Sequence, residues 1–226
     1  SPNSAQSFSI KMRAMTKNPD QDLLHRFVFE NTPIRGNTVH LNNTYNIALQ
    51  HTEYPPLLKN ALGELMAAAS LLAATLKLQN GALILQIQGK GPLKLLVVEC
   101  SADLEMRATA KWDGEIDQQS FQDLVGNGQF VITLDPKDGG QTYQGIVPVE
   151  GNSISQILEN YMQRSEQIET RIWLACDQAT VAGMLLQKLP DLPEQDADAW
   201  ARAGFLAETI SKEELITLPT EQLLNR

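Results

Sequence analysis

The clearest pattern along the chain is a long apolar stretch with the period of an α-helix. Between residues 57 and 78, large apolar side chains recur every three or four positions, and alanines fill most of the intervals. A helix that is apolar on nearly every side is normally buried. Two prolines stand just before it, where a missing backbone N–H does no harm to a helix. The pattern therefore predicts a core helix over 57–78, with these residues at helical spacing: Leu58, Leu62, Leu65, Met66, Ala69, Leu72, Ala73 and Leu76.

Short runs with alternating or β-branched residues surround this helix and predict strands. Two strands precede the helix, over 25–30 and 34–39, and a short helix from Asn43 or Thr44 to Gln50 follows them. A further helix begins after Ser153, a good cap residue. Strands without regular βαβ alternation indicate an α+β fold, here mainly antiparallel sheets packed with a long buried helix. The later predicted strands are 82–88, 93–98, 106–112, 130–134, 143–149, 170–175 and 181–189.

The composition of the chain changes at Pro190. Residues 190–196 have the proline-rich and acidic composition of a linker, and an amphipathic helical pattern follows. From 190 onward acidic residues outnumber basic ones eight to three. The sequence thus predicts three parts: a disordered tail or cloning remnant over 1–21, a core domain over 22–189 and a helical linker region over 190–226. The last apolar stripe is unfinished at Arg226, which is typical of a truncated chain.

Charge and hydropathy restrict the partners and the location of the protein. The formal net charge is −9 and no run of Lys and Arg exists, so a nucleic-acid partner is not expected. The most apolar stretch, 65–76, is shorter than the roughly twenty residues that a membrane span needs. The first fourteen residues lack the apolar run of a signal peptide. We therefore expect a cytoplasmic protein without a membrane partner.

Two glycine-rich turns are the candidates for a small-ligand site. Gly126-Asn127-Gly128 lacks the third glycine of a dinucleotide loop and precedes a predicted strand, so a turn is expected there. Gly89-Lys90-Gly91-Pro92 lacks the spacing of a phosphate-binding loop. An ATP-driven machine is accordingly disfavoured.

The histidines and cysteines form no recognisable site. His25 and His40 fall within alternating strand patterns, where a surface or hydrogen-bonded role is expected, and nothing in the sequence selects either of them or His51 for catalysis. Cys100 and Cys176 are far apart and form no C-x-x-C pair. One disulfide is arithmetically possible, although isolated cysteines in apolar strands are more often buried thiols.

Several segments, taken in order, resemble the bacterial 33 kDa chaperonin family, the redox-regulated heat-shock holdases. The resemblance covers nearly the whole chain from about Asp22 onward, and one departure is Glu169, where the family often has proline. The matching segments are Leu24-His25-Arg26, Phe29-Glu30-Asn31, Ile34-Arg35-Gly36, Glu64-Leu65, Ala74-Thr75-Leu76-Lys77, Gln88-Gly89-Lys90-Gly91-Pro92, Leu124-Val125-Gly126-Asn127-Gly128, Tyr143-Gln144-Gly145, Tyr161-Met162-Gln163-Arg164-Ser165-Glu166-Gln167 and Gly183-Met184-Leu185-Leu186-Gln187.

The resemblance implies an ATP-independent chaperone, not an enzyme, that binds unfolding proteins under oxidative and heat stress. It also implies a homodimer formed through the core domain. Full-length members carry a C-terminal C-x-C … C-x-x-C module that holds zinc when reduced and releases it on oxidation. No residue of this chain matches that module, so we expect no cofactor and no metal ligand here.

In the family the segment that adjoins the zinc module is destabilised on oxidation, which exposes client-binding surface. The corresponding segment here is 190–226. We hypothesise that its apolar stripe packs on a core sheet and serves client binding through Trp200, Phe205, Leu206, Ile210 and Leu215; ordinary helix-on-sheet packing is the alternative. A small-ligand enzyme with a pocket at the glycine-rich turns and a scaffold without client activity are the competing functions.

Overall fold

The chain forms two antiparallel sheets and seven α-helices within the part that the computed structural model describes, residues 10–18 (backbone), 22–76, 78, 80–117, 120–190 and 198–225. The strands are β1 Ile10–Asn18, β2 Asp22–Phe29, β3 Ile34–Leu41, β4 Ala82–Gln88, β5 Leu93–Ser101, β6 Met106–Trp112, β7 Gln129–Asp135, β8 Tyr143–Pro148, β9 Thr170–Cys176 and β10 Val181–Lys188. The helices are α1 Asn43–Leu49, α2 Pro56–Leu76, α3 Phe121–Val125, α4 Ile154–Tyr161, α5 Ala199–Glu208, α6 Lys212–Thr217 and α7 Thr220–Leu224.

Each sheet has five strands, and every neighbouring pair is antiparallel. Sheet A has the order β1-β2-β3-β10-β9, and sheet B has the order β6-β5-β4-β7-β8. The α+β class expected from the sequence is confirmed. So is the predicted hairpin of β7 and β8, which pairs Gln129 with Pro148 and Leu134 with Tyr143.

The long helix α2 lies between the two sheets and forms the centre of the main core. Fourteen of its residues are buried, and the twelve apolar ones other than Gly63 belong to one apolar cluster with the inward side chains of both sheets. Leu24 and Leu185 reach this cluster from sheet A, and Leu85 and Phe130 reach it from sheet B. Apolar surroundings on both sides explain why the sequence of α2 has no polar stripe.

Sheet A is covered on both faces. Along β10, Val181 and Leu185 point to the main core, whereas Ala182, Met184 and Leu186 belong to a second apolar cluster beneath α5, α6 and α7. A strand buried on both faces reads as a continuous apolar run rather than as an alternation. This arrangement accounts for the uniformly buried pattern of β10.

Three local features differ from the sequence prediction. Residues 10–18, assigned above to a disordered tail, form the edge strand β1 and pair with β2, so the prediction of disorder is wrong for them. The short helix α3 was not predicted. A π-helical turn at Met162–Glu166 follows α4 and ends at Gln167, whose φ is 55°. The stretch of linker composition, 190–196, lies outside the described residues except for Pro190, and the division into domains stays a prediction.

Asp22 of β2 caps helix α1 from a distance. Its buried carboxylate accepts hydrogen bonds from the backbone N–H groups of Asn42, Asn43 and Thr44 at 2.8, 3.1 and 3.1 Å, and from the Thr44 hydroxyl. Asn42, the residue at the cap position, makes no side-chain capping bond. A carboxylate is well suited to this place because the first N–H groups of a helix lack partners within the helix.

Replacing Asp22 with Ala should therefore lower the free energy of unfolding by about 2–3 kcal/mol, because three backbone N–H groups at the start of α1 and the Thr44 hydroxyl lose their acceptor. Urea denaturation followed by far-UV circular dichroism measures the change. Asp103→Ala, at an exposed turn, is the matched control and should cost less than about 0.5 kcal/mol. Equal losses in the two variants would contradict the capping role.

Candidate functional site

The helices α5, α6 and α7, here called the cover, lie on the outer face of sheet A. Helix α5 docks with a face of small residues, Ala199, Ala203, Gly204 and Ala207, all buried. Small side chains allow a helix to approach a sheet closely. Helix α6 starts at Ser211, whose hydroxyl accepts from the Glu214 N–H while the Glu214 carboxylate accepts from the Ser211 N–H, a capping box.

The cover closes the second apolar cluster. From sheet A the cluster takes apolar side chains of four strands, and from the cover it takes Leu215 and Leu223 together with the small face of α5. The sheet side chains in the cluster are Phe27, Phe29, Ile34, Ala175, Ala182, Met184 and Leu186, with Trp173 packed at its margin.

The five residues of the predicted apolar stripe do not lie on one side of the cover. Leu215 is 2% exposed within the second cluster, and Trp200 and Ile210 are partly buried against it. Phe205 is 72% exposed and Leu206 is 46% exposed on the surface of α5 that points away from the sheet. The predicted packing on a core sheet is thus wrong for Phe205 and Leu206, because α5 turns its alanine and glycine face inward.

Among the polar contacts between the cover and sheet A, three join groups that are far apart in the chain. The hydroxyl oxygens of Thr38 and Thr220 are 2.7 Å apart. Arg171 of β9 forms an ion pair with Glu208 of α5, and its guanidinium lies 5.3 Å from the centre of the Trp173 ring. The third contact joins His40 to α6. Sequence reasoning missed these residues because each pair is far apart in the chain and no local pattern connects its members.

His40 of β3 binds the backbone of the cover directly. Its Nε2 lies 2.8 Å from the carbonyl oxygen of Leu215, and because a carbonyl can only accept, Nε2 carries the proton in this contact. Burial lowers the pKa of His40; the hydrogen bond to Leu215 opposes this shift, and the nearby His25 adds to it. His25 is itself buried at Nδ1, with no partner for that atom among the described residues. The seam between sheet and cover therefore disfavours the charged form of His40.

The pH dependence of stability follows from the direction of this shift. Because the pKa of His40 in the folded protein lies below its unfolded value of 6.5, its contribution is complete above pH 6.5 and is lost as the pH falls through the lower folded value. Urea midpoints at pH 7.5 and 5.5, followed by tryptophan fluorescence, should differ more for the wild type than for His40→Gln. Other titrating groups cancel in this difference. The exposed His51→Gln is the control, and an equal pH response of wild type and H40Q would contradict the prediction.

A cavity of about 200 Å³ lies where the cover meets the core near α4. Burial raises the pKa of Glu64 at this cavity, and Lys212 of α6 partly opposes the shift. The contact between the cover and the core therefore leaves a gap at this point. The cavity is lined by Glu64, Ser153, Ser155, Ile172, Trp173, Leu174, Ile210, Ser211, Lys212 and Leu215.

Comparison with known proteins decides the family. The family model described as Hsp33 protein matches residues 22–226. The chain belongs to the Hsp33 family. It is 65% identical over 206 residues to a 33 kDa chaperonin of Methylobacillus flagellatus and 49% identical over 207 residues to one of Chromobacterium violaceum. Each alignment covers 91% of this chain and 70% of the relative.

A solved structure of the family shares the fold. The crystal structure of a 33 kDa chaperonin from Thermotoga maritima superposes with a TM-score of 0.72, covering 90% of this chain and 73% of that one, at 17% sequence identity. The resemblance found in the sequence is confirmed, and family membership supports a chaperone.

The cysteines of this Hsp33 chain do not fit a zinc site. Cys100 is buried in β5 of sheet B, and Cys176 ends β9 with its Sγ 3.5 Å from the Tyr45 hydroxyl. Neither cysteine is in a disulfide, and in the described parts of the chain no three His, Cys, Asp or Glu side chains form a group that could hold a metal. Burial raises the pKa of Cys176 to about 11, so its thiol stays protonated near neutral pH and is a poor target for oxidation.

The two glycine-rich turns pack against each other through their backbones. The N–H groups of Lys90 and Gly91 both donate to the Val125 carbonyl at 2.8 Å. A Cβ at Gly91 would lie 2.5 Å from the Leu124 carbonyl oxygen, so a side chain cannot fit there. Gly126 has a φ of 66°, a conformation that glycine adopts without strain. The glycines thus serve backbone packing, and the alternative of a small-ligand enzyme at these turns receives no support.

Proposed function

We propose that this protein is an ATP-independent holdase that binds unfolding proteins on the outer face of sheet A when the cover moves away. The proposal is supported by the second apolar cluster, which three short helices shield from solvent in the described part of the chain. Apolar surface that can be hidden or exposed is what a chaperone without a nucleotide site requires. Family membership supports the chaperone class.

The cover can leave without unfolding the core, because its apolar contacts form a cluster separate from the one around α2. Its helices have 10, 6 and 5 residues. Isolated helices of fewer than about 12 residues are marginal in water, so these helices depend on docking for their stability. Local opening of such a segment requires less free energy than global unfolding.

Movement of the cover away from sheet A would expose large apolar side chains that can bind an unfolded polypeptide. Phe27, Phe29 and Met184 belong to the cluster, and each contributes roughly 1.5–3 kcal/mol when it moves from water into an apolar contact. An unfolded client that replaces the cover on sheet A regains much of this free energy. Leu215 and Ile210 would add apolar surface from the released cover. These two residues belong to the client-binding set that was hypothesised from the sequence.

We further propose that the protein acts in the cytoplasm as a homodimer and that its relatives' oxidative regulation resides outside the residues of this chain. The raised pKa of Cys176 and the burial of Cys100 favour a site of oxidative regulation outside the residues of this chain.

Helix α2 is long and apolar enough to cross a membrane by length and composition. However, 72% of its apolar window is buried within the fold, so the helix is weak evidence for membrane insertion.

An aggregation assay tests the holdase function. A chemically unfolded client protein is diluted into buffer with this protein, without ATP and without oxidant, and light scattering is followed. We expect suppression at near-stoichiometric ratios and no effect of a chelator. A scaffold or a small-ligand enzyme would leave scattering unchanged, and that result would contradict the proposal.

A further inference from the structure

The four edge strands of the two sheets differ in charge. The edges of sheet A are β1 and β9, and those of sheet B are β6 and β8. Strand β1 has three basic residues in its sequence, and β6 has Arg107 and Lys111. Strand β8 contains no charged residue. Charged side chains on an edge strand oppose pairing with another chain, so β8 is the edge that lacks this protection.

The outer edge of β9 is protected in a second way. The backbone N–H of Ile172 donates to the Glu159 carboxylate of α4 at 2.9 Å, which occupies a group that could otherwise pair with a foreign strand. The same strand has the Arg171 ion pair with Glu208. Strand β8 has no comparable bond to its outer edge among the described residues.

The ladder between β7 and β8 shows which backbone groups of β8 point outward. The Val149 N–H donates to the Gly128 carbonyl at 2.9 Å, and these two residues continue the register of the strand pair. Bonded and non-bonded residue pairs alternate along an antiparallel ladder. The residues of β8 that bond to β7 are therefore Tyr143, Gly145 and Val147, and those whose backbone groups point outward are Gln144, Ile146 and Pro148.

Pro148 limits this free edge, because proline has no N–H to offer. The N–H and C=O groups of Gln144 and Ile146 remain, and no hydrogen bond from the described part of the chain engages them on that side. Gln144 and Ile146 together offer two N–H donors and two C=O acceptors, which can pair with a short extended segment. The edge thus presents a defined row of donors and acceptors.

Apolar side chains flank this row on both faces of the sheet. Tyr143 is 44% exposed and turns toward the core side, where its hydroxyl lies 3.1 Å from that of Tyr161. Ile146 is 54% exposed on the other face, beside Val131 of β7. An incoming strand alternates its side chains between the two faces, so it would meet an apolar neighbour on each.

We propose that the β8 edge binds an extended, uncharged segment of an unfolded polypeptide by strand addition, through the backbone groups of Gln144 and Ile146. This proposal rests on the holdase function, and it gives the protein a second contact for the same client. Backbone pairing is independent of client sequence, which suits a chaperone with many clients. The edge lies in sheet B and does not need the cover to open.

Binding of fluorescein-labelled synthetic peptides tests the proposal. The first peptide alternates Thr and Val over seven residues, and the second has the same side chains with every central amide N-methylated, so that neither of its edges can pair. We expect the methylated peptide to bind at least about ten-fold more weakly, because strand addition depends on backbone hydrogen bonds. Fluorescence anisotropy measures both affinities on the intact protein.

Two charged variants place the contact on β8. Ile146→Lys should weaken binding of the first peptide by about ten-fold or more. Thr109→Lys, at an exposed position on the opposite edge of sheet B, should change the affinity for this peptide by less than about two-fold. Gln144→Glu is the second variant at the site if I146K is poorly folded.

Three outcomes would overturn the proposal: equal binding of the two peptides, unchanged binding by I146K and Q144E, or loss of a dimer by I146K in sedimentation with peptide binding retained. The last outcome would assign the edge to a second copy of the chain. Failure here leaves the aggregation assay of the wild type unaffected, so it is distinct from failure of the holdase function.

Discussion

Replacing Leu215 with Asp is expected to release the cover from sheet A while the core stays folded. Leu215 is buried in the second cluster, and its carbonyl binds His40. Loss of the apolar side chain and burial of an unpaired carboxylate together cost about 4 kcal/mol. That change shifts the ratio of open to closed protein by about a thousand-fold. The variant should suppress aggregation at a lower molar ratio than the wild type.

Hydrogen exchange with mass spectrometry checks the structural half of this prediction. Amides of α5 to α7 should lose protection, and those of α2 should keep it, because the two clusters are separate. Phe205→Asp is the matched control: Phe205 is exposed on the outer side of α5, so the cover should stay docked. If L215D released the cover from sheet A but protected the client no better than the wild type, sheet A would not be the client-binding site.

Leu65→Ala should have the largest effect on global stability. Leu65 is fully buried in the middle of α2, between the two sheets, where neighbours on several sides limit collapse of the cavity. We expect a loss of about 3–5 kcal/mol in the free energy of unfolding. Leu57→Ala, the same substitution at an exposed position of the same helix, should cost less than about 1 kcal/mol. Similar urea midpoints for the two variants would contradict the central place of α2.

The parts of the fold that the sequence predicted well have strong local patterns. The helix predicted over 57–78 is found at Pro56–Leu76, because its apolar period is long and prolines mark its start. The two strands joined as a hairpin, β7 and β8, were predicted from alternation and the turn residues between them. In these segments local preference and tertiary packing agree.

The inward face of α5 was not predicted because the hydrophobic pattern favours large residues. Phe205 and Leu206 dominate that pattern, yet the helix packs through Ala199, Ala203 and Ala207, which permit close approach to the sheet. Strand β1 was missed for a related reason: its sequence is rich in polar and basic residues, and it pairs through its backbone with β2. Tertiary context overrides side-chain preference at both places.

The contacts that hold the cover lay beyond sequence reasoning altogether. His40 meets the backbone of Leu215, and Thr38 meets Thr220, across most of the length of the chain. The histidine was expected only to be exposed or hydrogen-bonded, and the structure gives it a partner in the cover. Such pairs have no signature in spacing or composition, since folding alone brings them together.

A reversible disulfide between the cover and sheet A tests whether clients bind beneath the cover. The hydroxyls of Thr38 and Thr220 are 2.7 Å apart, so cysteines at both positions would be close enough for a disulfide across the seam. The variant T38C/T220C is made with Cys176→Ser, to prevent exchange with the partly exposed thiol. We predict that the oxidised protein suppresses aggregation of an unfolded client much less than the reduced protein, since only the β8 edge stays accessible, and that a reductant restores suppression to the level of C176S alone. Equal protection by the locked and the reduced forms would contradict the claim that clients bind beneath the cover.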